Sequence, residues 1–102
     1  MTTNAQPVTD EKVKIEKKVP SKYKVILLND DATPIDWVIG ILKEIFRHTT
    51  VSAEALTMTV HTEGSAVVGT YAFEIAESKI AETINVSRDN GFPLVAKIEE
   101  DK

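Results

Sequence analysis

The sequence contains no cysteine. This absence excludes disulfides, thiolate zinc sites and cysteine nucleophiles, and it is consistent with a reducing compartment. No apolar run approaches the roughly 20 residues that a membrane-spanning helix needs, so we expect no membrane association. The N-terminus has no apolar core of the secretory type, and its acidic residues and lack of arginine argue against a transit peptide.

Positive charge is scarce outside the N-terminus. Residues 1–22 carry five lysines against three acidic side chains, whereas the remaining residues carry 7 basic and 13 acidic side chains. Such an acidic body lacks the basic face that phosphate backbones require, so we expect no nucleic-acid binding. The chain has 102 residues, 42% hydrophobic and 27% charged, which indicates one soluble globular domain.

Local patterns predict an N-terminal arm followed by six elements. Residues 1–20 have few apolar side chains and are predicted to be disordered, so we divide the chain into a flexible extension (1–21) and a domain (22–102). The predicted elements are a strand over 23–28, a helix from 34 to about 48, a helix over 53–63, a strand over 66–71, a helix over 73–90 and a strand over 94–98. The order β-α-α-β-α-β predicts an α+β fold with the helices on a three-stranded antiparallel sheet.

Capping signals set the predicted helix boundaries. Thr33 is expected to be the N-cap of the first helix, with Pro34 at its first position and Asp36 completing a capping box. Ser52 is expected to be the N-cap of the second helix, and Gly64 is expected to end it. The third helix is predicted to bury the side formed by Ile75, Ala76, Ile80, Ile84 and Ser87.

The densest polar cluster is Asn29-Asp30-Asp31, between a strand end and a helix start. Asn and Asp are typical of turns, and a carboxylate near a helix N-terminus complements the helix dipole. An amide oxygen beside a carboxylate can also accept hydrogen bonds from an ammonium group. A metal site that includes a histidine is the third interpretation. The local sequence leaves all three open.

The two histidines lie at predicted helix ends. His48 is expected near the end of the first helix, where an imidazole complements the dipole. His61 is either a similar helix-end residue or, if the second helix packs beside the first, a third acceptor near Asn29 and Asp30. The sequence contains no nucleophile elbow, glycine-rich phosphate loop or metalloprotease motif, so we expect no catalysis, no metal and no cofactor.

Several short motifs together resemble the ClpS family of adaptors. These motifs are Tyr23-Lys24-Val25, Leu28-Asn29-Asp30-Asp31, Thr33-Pro34, Val60-His61 with Gly64, Gly69, Glu74-Ile75-Ala76-Glu77 with Lys79, and Pro93-Leu94. The resemblance covers residues 22–100. One alternative is the C-terminal domain of the bacterial ribosomal stalk protein, which has a related shape and recruits translation factors. That domain lacks the motif Asn29-Asp30-Asp31 with Thr33-Pro34 and the motif Val60-His61 with Gly64. A metal-dependent enzyme using Asp30, Asp31 and His61 is the other alternative.

The resemblance implies an adaptor of the N-end rule pathway. Such proteins bind substrates that begin with Leu, Phe, Tyr or Trp and deliver them to a ClpA- or ClpC-type AAA+ unfoldase, which feeds the ClpP peptidase. By the resemblance, Asn29, Asp30 and His61 hold the α-amino group. The side-chain pocket is implied to comprise Asp31, Thr33, Ile35, Val38, Thr57, Val60 and Leu94. Glu74 and Lys79 are implied to contact the unfoldase, and the arm is implied to engage its pore.

The sequence departs from the usual family pattern in the pocket. Thr57 and Ile35 stand where methionine is usual. Because threonine is shorter at position 57, we expect a wider pocket that also accepts N-terminal Ile or Val, or a shifted preference among Leu and the aromatic residues. The alternative is that neighbouring side chains refill the space. Thr62 replaces a frequent aromatic residue at a site that faces the unfoldase. The resemblance further implies a monomer in the cytoplasm, or alternatively in the plastid stroma.

Overall fold

The computed structural model describes residues 21–102. The arm predicted for residues 1–20 lies outside them, and the division of the chain at residue 22 stays a prediction. The elements are β1 (Lys22–Leu28), α1 (Ile35–Glu44), α2 (Thr50–Glu63), β2 (Ser65–Tyr71), α3 (Phe73–Asp89) and β3 (Ala96–Asp101). This order confirms the predicted β-α-α-β-α-β arrangement. Within the described residues, no helix is both long enough and apolar enough to cross a membrane.

The sheet has the order β2-β1-β3, and β1 pairs antiparallel with both neighbours. The predicted three-stranded antiparallel sheet is therefore confirmed. Leu28 at the end of β1 lies opposite Ser65, and Leu27 lies opposite Ala96. Because both pairings are antiparallel, the end of β1 lies beside the starts of β2 and β3. This arrangement creates the place where the candidate site forms.

One hydrophobic core joins the sheet to the helices. Val25 and Leu27 of β1 are fully buried, and they pack with apolar side chains from α1, α2 and α3. The buried core residues from these helices are Val38, Ile41, Leu42, Ala53, Val60 and Ala76. Alternate residues of the central strand thus supply one wall of the core, as expected when helices cover one face of an antiparallel sheet.

The start of α1 differs from the prediction. The helix begins at Ile35, and its N-cap is Pro34 in an extended conformation without a side-chain cap. Thr33 is not the N-cap, because its hydroxyl donates to the Asp30 carboxylate instead of accepting from a helix N–H. The first helical hydrogen bonds are accepted by the carbonyl of Pro34, so the capping box expected with Asp36 does not form.

The end of α1 also comes earlier than predicted. The helix ends at Glu44 instead of near His48, and Arg47 has a left-handed φ of 63°. The free carbonyl of Ile45 accepts a hydrogen bond from Lys79 Nζ at 2.7 Å, which satisfies an acceptor that a longer helix would have used. Ile45 and Phe46 remain buried outside the helix.

Two further boundaries are corrected. The N-cap of α2 is Thr49, whose side chain accepts from the N–H of Ser52, so Ser52 lies inside the helix. Gly64 ends α2 at φ 93°, as predicted. The last strand covers Ala96–Asp101 instead of 94–98.

The apolar side of α3 is also displaced from the prediction. Ile75 is 51% exposed, whereas Ala76, Thr83 and Ser87 are buried. Ile80 and Ile84 are half-buried. The buried residues follow the three- and four-residue spacing of a helix face, and Ile75 lies one position outside that face.

Candidate functional site

Two backbone hydrogen bonds gather distant parts of the chain at the end of β1. The N–H of Leu28 donates to the carbonyl of Val95 at 3.1 Å, and the N–H of Asn29 donates to the carbonyl of Gly64 at 2.9 Å. Gly64 closes α2, so the second bond brings the last turn of that helix beside Asn29. The first bond brings the residues before β3 to the other side. The sheet register thus positions the site.

A single cavity of about 200 Å³ lies at this junction. Its lining residues are Leu28, Asn29, Asp30, Asp31, Thr33, Ile35, Val38, Thr57, Val60, His61 and Leu94. The ten residues assigned to the substrate site from the sequence all line this one cavity. Leu28 was not assigned to the site, although it precedes the polar cluster directly and belongs to the motif Leu28-Asn29-Asp30-Asp31. An apolar cavity of about 150 Å³ can hold benzene, so this cavity has room for a phenyl ring.

The carboxylate of Asp30 organises the turn between β1 and α1. Its Oδ1 accepts from the N–H groups of Ala32 and Thr33 at 2.8 and 2.7 Å, and its Oδ2 accepts from the Thr33 hydroxyl at 2.8 Å. The interpretation of the polar cluster as turn chemistry therefore holds for Asp30. An ionised carboxylate has about four acceptor positions, so these three bonds leave capacity for a ligand. The bonds also fix the orientation of the carboxylate.

Asn29 and His61 are exposed residues on the same cavity. Asn29 is held by its backbone bond to Gly64, and His61 lies one turn earlier on α2. His61 is therefore brought to the polar cluster, as the second of its two sequence interpretations required. An amide oxygen, a carboxylate and an imidazole nitrogen are all possible acceptors.

The inner wall of the cavity is buried and largely apolar, whereas Ile35 and Asp31 line its exposed part. Val38, Val60 and Leu94 are between 1% and 6% exposed. Thr57 is 3% exposed, and its hydroxyl donates to the carbonyl of Ala53 at 2.7 Å. Because this hydroxyl is bonded within the helix, Thr57 leaves no unsatisfied polar group in the wall. Thr57, Val60 and His61 share one face of α2, as their spacing of three and four residues requires.

The two residues predicted to contact an unfoldase lie outside the cavity. Glu74 is exposed in the first turn of α3. Lys79 is half-buried, and its ammonium donates to Ile45 and lies 5.3 Å from the centre of the Tyr71 ring. Burial raises the pKa of the Tyr71 phenol above its ordinary value. Lys79 therefore has a structural role at the end of α1, and its contact with a partner stays a prediction.

His48 has a different role from the one predicted. It lies in the loop between α1 and α2, and its Nε2 is 2.7 Å from the carbonyl of Val68. A carbonyl oxygen can only accept, so Nε2 carries a proton. The register between β1 and β2 skips Val68, which is the extra residue of a β-bulge. His48 thus satisfies a carbonyl of the bulged strand, and no sequence signal indicated this contact.

The acidic residues and His61 do not form a metal centre in the described part of the chain. Among residues 21–102, no group of three or more His, Asp or Glu side chains is placed so that it could hold an ion. The combination of Asp30, Asp31 and His61, which the sequence left open as a metal site, is therefore not supported by the geometry.

Comparisons with known proteins agree on one family. Residues 18–97 match the family described as ATP-dependent Clp protease adaptor protein ClpS. The ClpS adapter protein of Erwinia tasmaniensis is 42% identical over 97 residues, which cover 95% of this chain and 92% of that protein. The chain belongs to the ClpS family. The ClpS adapter protein of Shewanella piezotolerans is 43% identical over 99 residues, covering 97% of this chain and 96% of that protein.

A solved ClpS structure has the same fold. The structure of Agrobacterium tumefaciens ClpS2 bound to L-phenylalaninamide is 41% identical in sequence and gives a TM-score of 0.79. The comparison covers 81% of this chain and 100% of that one. The α+β arrangement predicted from the sequence is therefore a known ClpS architecture.

Proposed function

We propose that this ClpS-family chain is an adaptor that binds N-degron substrates at the cavity beside the end of β1. The cavity takes the free α-amino group and the bulky hydrophobic side chain of the first residue, and the adaptor delivers the substrate to a ClpA- or ClpC-type unfoldase for degradation by ClpP. The observation that carries this proposal is one cavity lined both by Asn29, Asp30 and His61 and by buried apolar walls.

The polar residues suit an α-ammonium group. An ammonium carries three donors and a positive charge, and the amide oxygen of Asn29, the carboxylate of Asp30 and the neutral ring of His61 supply three acceptors. A peptide N–H inside a chain has one donor and no charge. It would leave two acceptors without partners, so the site discriminates in favour of a free N-terminus.

Asp30 supplies the charge that this site needs. Its carboxylate is already oriented by three hydrogen bonds from the following turn, so little ordering is required when an ammonium binds. Such preorganisation lowers the entropic cost of binding. A hydrogen bond to a charged group contributes about 1.5–3 kcal/mol.

The apolar walls suit Leu, Phe, Tyr and Trp side chains. Val38, Val60 and Leu94 are buried, and each buried CH₂ group of a ligand contributes about 0.8 kcal/mol. The relative from Agrobacterium tumefaciens was solved with L-phenylalaninamide, a ligand with one amino group and one phenyl ring. Thr57 is shorter than the methionine usual in the family, so the cavity also has space for β-branched Ile or Val.

Delivery to the unfoldase is the second half of the proposal. The relatives are named adapters of the ATP-dependent Clp protease. Glu74 is exposed and lies outside the substrate cavity, so it can contact a partner while a substrate is bound. The adaptor acts as a monomer, without catalysis, in a reducing compartment such as the cytoplasm, which its lack of cysteine allows.

Calorimetry with a Phe-initiated peptide and its N-acetylated form tests the substrate site. The free peptide should bind, and acetylation should abolish binding because it removes the charge and two donors. Asp30→Asn keeps an oxygen for the turn but removes the charge, so it should weaken binding by about 1.5–3 kcal/mol. Glu100→Ala is the control and should bind normally, because Glu100 is exposed and pairs with Tyr23 at the opposite end of β1 from the cavity. Equal affinity for the two peptides, or metal-dependent turnover of the peptide, would contradict the proposal.

A further inference from the structure

A second cavity, which we call the α1–α3 groove, lies between these two helices. It has a volume of about 290 Å³. Its lining residues are Asp36, Trp37, Gly40, Ile41, Glu44, Ile45, Glu82 and Val86. None of them lines the substrate cavity. The groove is therefore a separate surface that the proposed function does not use.

The groove has a fixed apolar floor. Trp37 lies across both helices, because its indole N–H donates to the Ser87 hydroxyl at 2.9 Å and its ring packs on Phe92 at 5.0 Å. Ile41 of α1 and Ile45, directly after the end of α1, continue the floor and are 5% and 6% exposed. Aromatic and aliphatic side chains that form a fixed, continuous floor are typical of surfaces that bind apolar side chains.

Gly40 keeps the middle of the groove open. It lies inside α1, where glycine is less favourable than alanine. A Cβ placed at Gly40 would have no atom of residues 21–102 within 4 Å, apart from the backbone of its own helix and its chain neighbours. Packing among these residues therefore does not require glycine here. Its effect is to leave space between Trp37 and Glu44 for a side chain from elsewhere.

Carboxylates surround this floor. Asp36 and Glu44 lie on α1, and Glu82 lies on α3. Within residues 21–102 the ion pair formed is Lys24 with Glu99, so the three carboxylates have no basic partner in that part of the chain. A ligand for the groove should therefore carry apolar side chains together with positive charge.

The sequence contains such a segment shortly before the first described residue. Lys12–Val19 reads KVKIEKKV, with four lysines and one glutamate. Val13 and Ile15 are two residues apart, so in an extended chain they lie on one side with Lys12 and Lys14 on the other. The two apolar side chains match the apolar floor of the groove, and the lysines match the carboxylates around it, which we call the rim (Asp36, Glu44 and Glu82).

The distance from the first described residue, Ser21, to the groove can be covered by the few residues that precede it. Ser21 lies beside Phe73 at the start of α3, and the nine residues from Phe73 to Glu82 span about 13 Å of helix. Four extended residues cover about the same distance. Lys79 contacts Ile45, so this end of α3 leads to the Ile45 end of the groove. Residues 17–20 can therefore reach the groove, and residues 13–16 can lie along it.

We propose that the α1–α3 groove binds the chain's own segment Lys12–Val19. Val13 and Ile15 lie on the floor above Gly40, and the lysines lie against the carboxylates of Asp36, Glu44 and Glu82. Covalent connection favours this occupant, because a short tether gives an effective concentration on the order of millimolar. The docking does not depend on substrate binding. If the arm engages an unfoldase, as the family resemblance implies, docking keeps it on the domain until a partner takes it, and this consequence rests on the proposed function.

Paramagnetic NMR on the full chain tests the docking. The chain has no cysteine, so Thr9→Cys gives a unique position for a nitroxide label. The label should broaden the amide signals of residues 36–45 and 82–86 more strongly than those of α2. Gly40→Leu, which fills the groove, and Glu82→Lys, which reverses a rim charge, should each reduce this broadening at least threefold. Glu54→Lys, on the exposed surface of α2, should leave it unchanged.

Two results would overturn the proposal. One is broadening that is uniform over the domain, or that persists in both groove variants. The other comes from a mixture of two chains, one unmodified and ¹⁵N-labelled, the other spin-labelled and at natural isotope abundance. If the ¹⁵N signals of the groove are broadened in this mixture as strongly as in the spin-labelled chain itself, a second copy of the chain occupies the groove. Gly40→Leu should bind the Phe-initiated peptide normally, so a failed docking test and a failed substrate test are distinguishable.

Discussion

Asp30 has an observed role in a turn and a proposed role in substrate binding, and these two are usually considered as alternatives. Its carboxylate accepts three hydrogen bonds from the turn that leads into α1, and it also lines the substrate cavity. These roles reinforce each other, because the turn holds the carboxylate in one orientation while its negative charge remains available to a cation. The turn chemistry of Asp30 is therefore compatible with the binding role that we propose for it.

His61 should make substrate binding depend on pH. Only the neutral imidazole can accept a hydrogen bond from an ammonium group. Affinity for a Phe-initiated peptide should therefore fall when the pH is low enough to protonate this ring. His61→Ala should bind more weakly than the unmodified chain where the ring is neutral and should lose this dependence, as measured by calorimetry at several pH values.

His48 provides the matched control for this experiment. It bonds to Ser52 and Val68 outside the cavity, and glutamine can still donate to the Val68 carbonyl. His48→Gln should therefore keep the pH dependence of the unmodified chain. A pH profile that does not change in His61→Ala would exclude that residue from the site.

Thr57 should set the width of the side-chain pocket. Peptides that begin with Ile or Val should bind within a hundredfold of a Leu-initiated peptide, as measured by titration of peptides that differ only at their first residue. Thr57→Met adds volume to a buried wall and should weaken Ile and Val peptides more than Leu peptides, by about 1–3 kcal/mol. If the unmodified chain already binds Ile and Val peptides at least a hundredfold more weakly, the wide-pocket interpretation is wrong.

At the scale of the elements, helix α1 contributes residues to two separate surfaces, the substrate cavity and the α1–α3 groove. Val38 lines the substrate cavity, whereas Trp37 and Gly40 line the α1–α3 groove. Adjacent residues on a helix point about 100° apart, so one short helix can serve both surfaces. This division explains why α1 has few residues on which a substitution would affect neither of them.

Gly40→Ala should stabilise the protein by about 0.5–1 kcal/mol, because it removes the entropic cost of glycine in a helix without creating a clash in the described structure. Chemical denaturation monitored through Trp37 gives the measurement. Gly64→Ala is the contrasting variant. Its φ of 93° is unfavourable for alanine, so it should destabilise by about 1 kcal/mol or more. A clear loss of stability in Gly40→Ala would show that packing does require this glycine.

The order and type of the elements could be predicted because apolar spacing is a local signal. The helix boundaries could be predicted less well from the sequence, because contacts with residues distant in the sequence determine them. Lys79 satisfies the carbonyl of Ile45 at the end of α1, and Asp30 binds the Thr33 hydroxyl that would otherwise cap its start. No local pattern contains either contact.

The candidate site was even harder to predict from local sequence, because contacts between residues far apart in the sequence form it. Local sequence identified Asn29 and Asp30 as polar but left their chemistry open. Their approach to His61 follows from the sheet register and the bond between Asn29 and Gly64. Local sequence allowed this approach only as one of two interpretations of His61, and the family resemblance favoured it. The position of His48 against the bulge at Val68 had no local signal.

At the scale of the whole molecule, the cavity proposed to bind substrate and the residue proposed to act in delivery lie in different regions. The substrate cavity lies at the end of β1, and Glu74 lies in the first turn of α3. Glu74→Ala should therefore leave peptide affinity unchanged within a factor of about two, while it lowers degradation of a Phe-initiated protein by a reconstituted ClpA or ClpC unfoldase with ClpP. Such a small change corresponds to about 0.4 kcal/mol.

Asp30→Asn should show the opposite defect in the same degradation assay, because it impairs substrate binding and leaves delivery intact. This variant should bind the peptide more weakly. Degradation of the Phe-initiated protein should be lost at substrate concentrations below the Kd of the variant and should recover at saturating substrate. Recovery of degradation by Glu74→Ala at saturating substrate would contradict a delivery role for Glu74, because a delivery defect persists when the substrate site is full.

The most direct measurement is a crystal structure of the full chain with a Phe-initiated peptide. The peptide's α-amino nitrogen should lie within about 2.7–3.2 Å of acceptor atoms of Asn29, Asp30 and His61, with its phenyl ring between Val38, Thr57 and Leu94. A peptide whose amino group lies away from these three residues, or whose first side chain occupies the α1–α3 groove, would contradict the account.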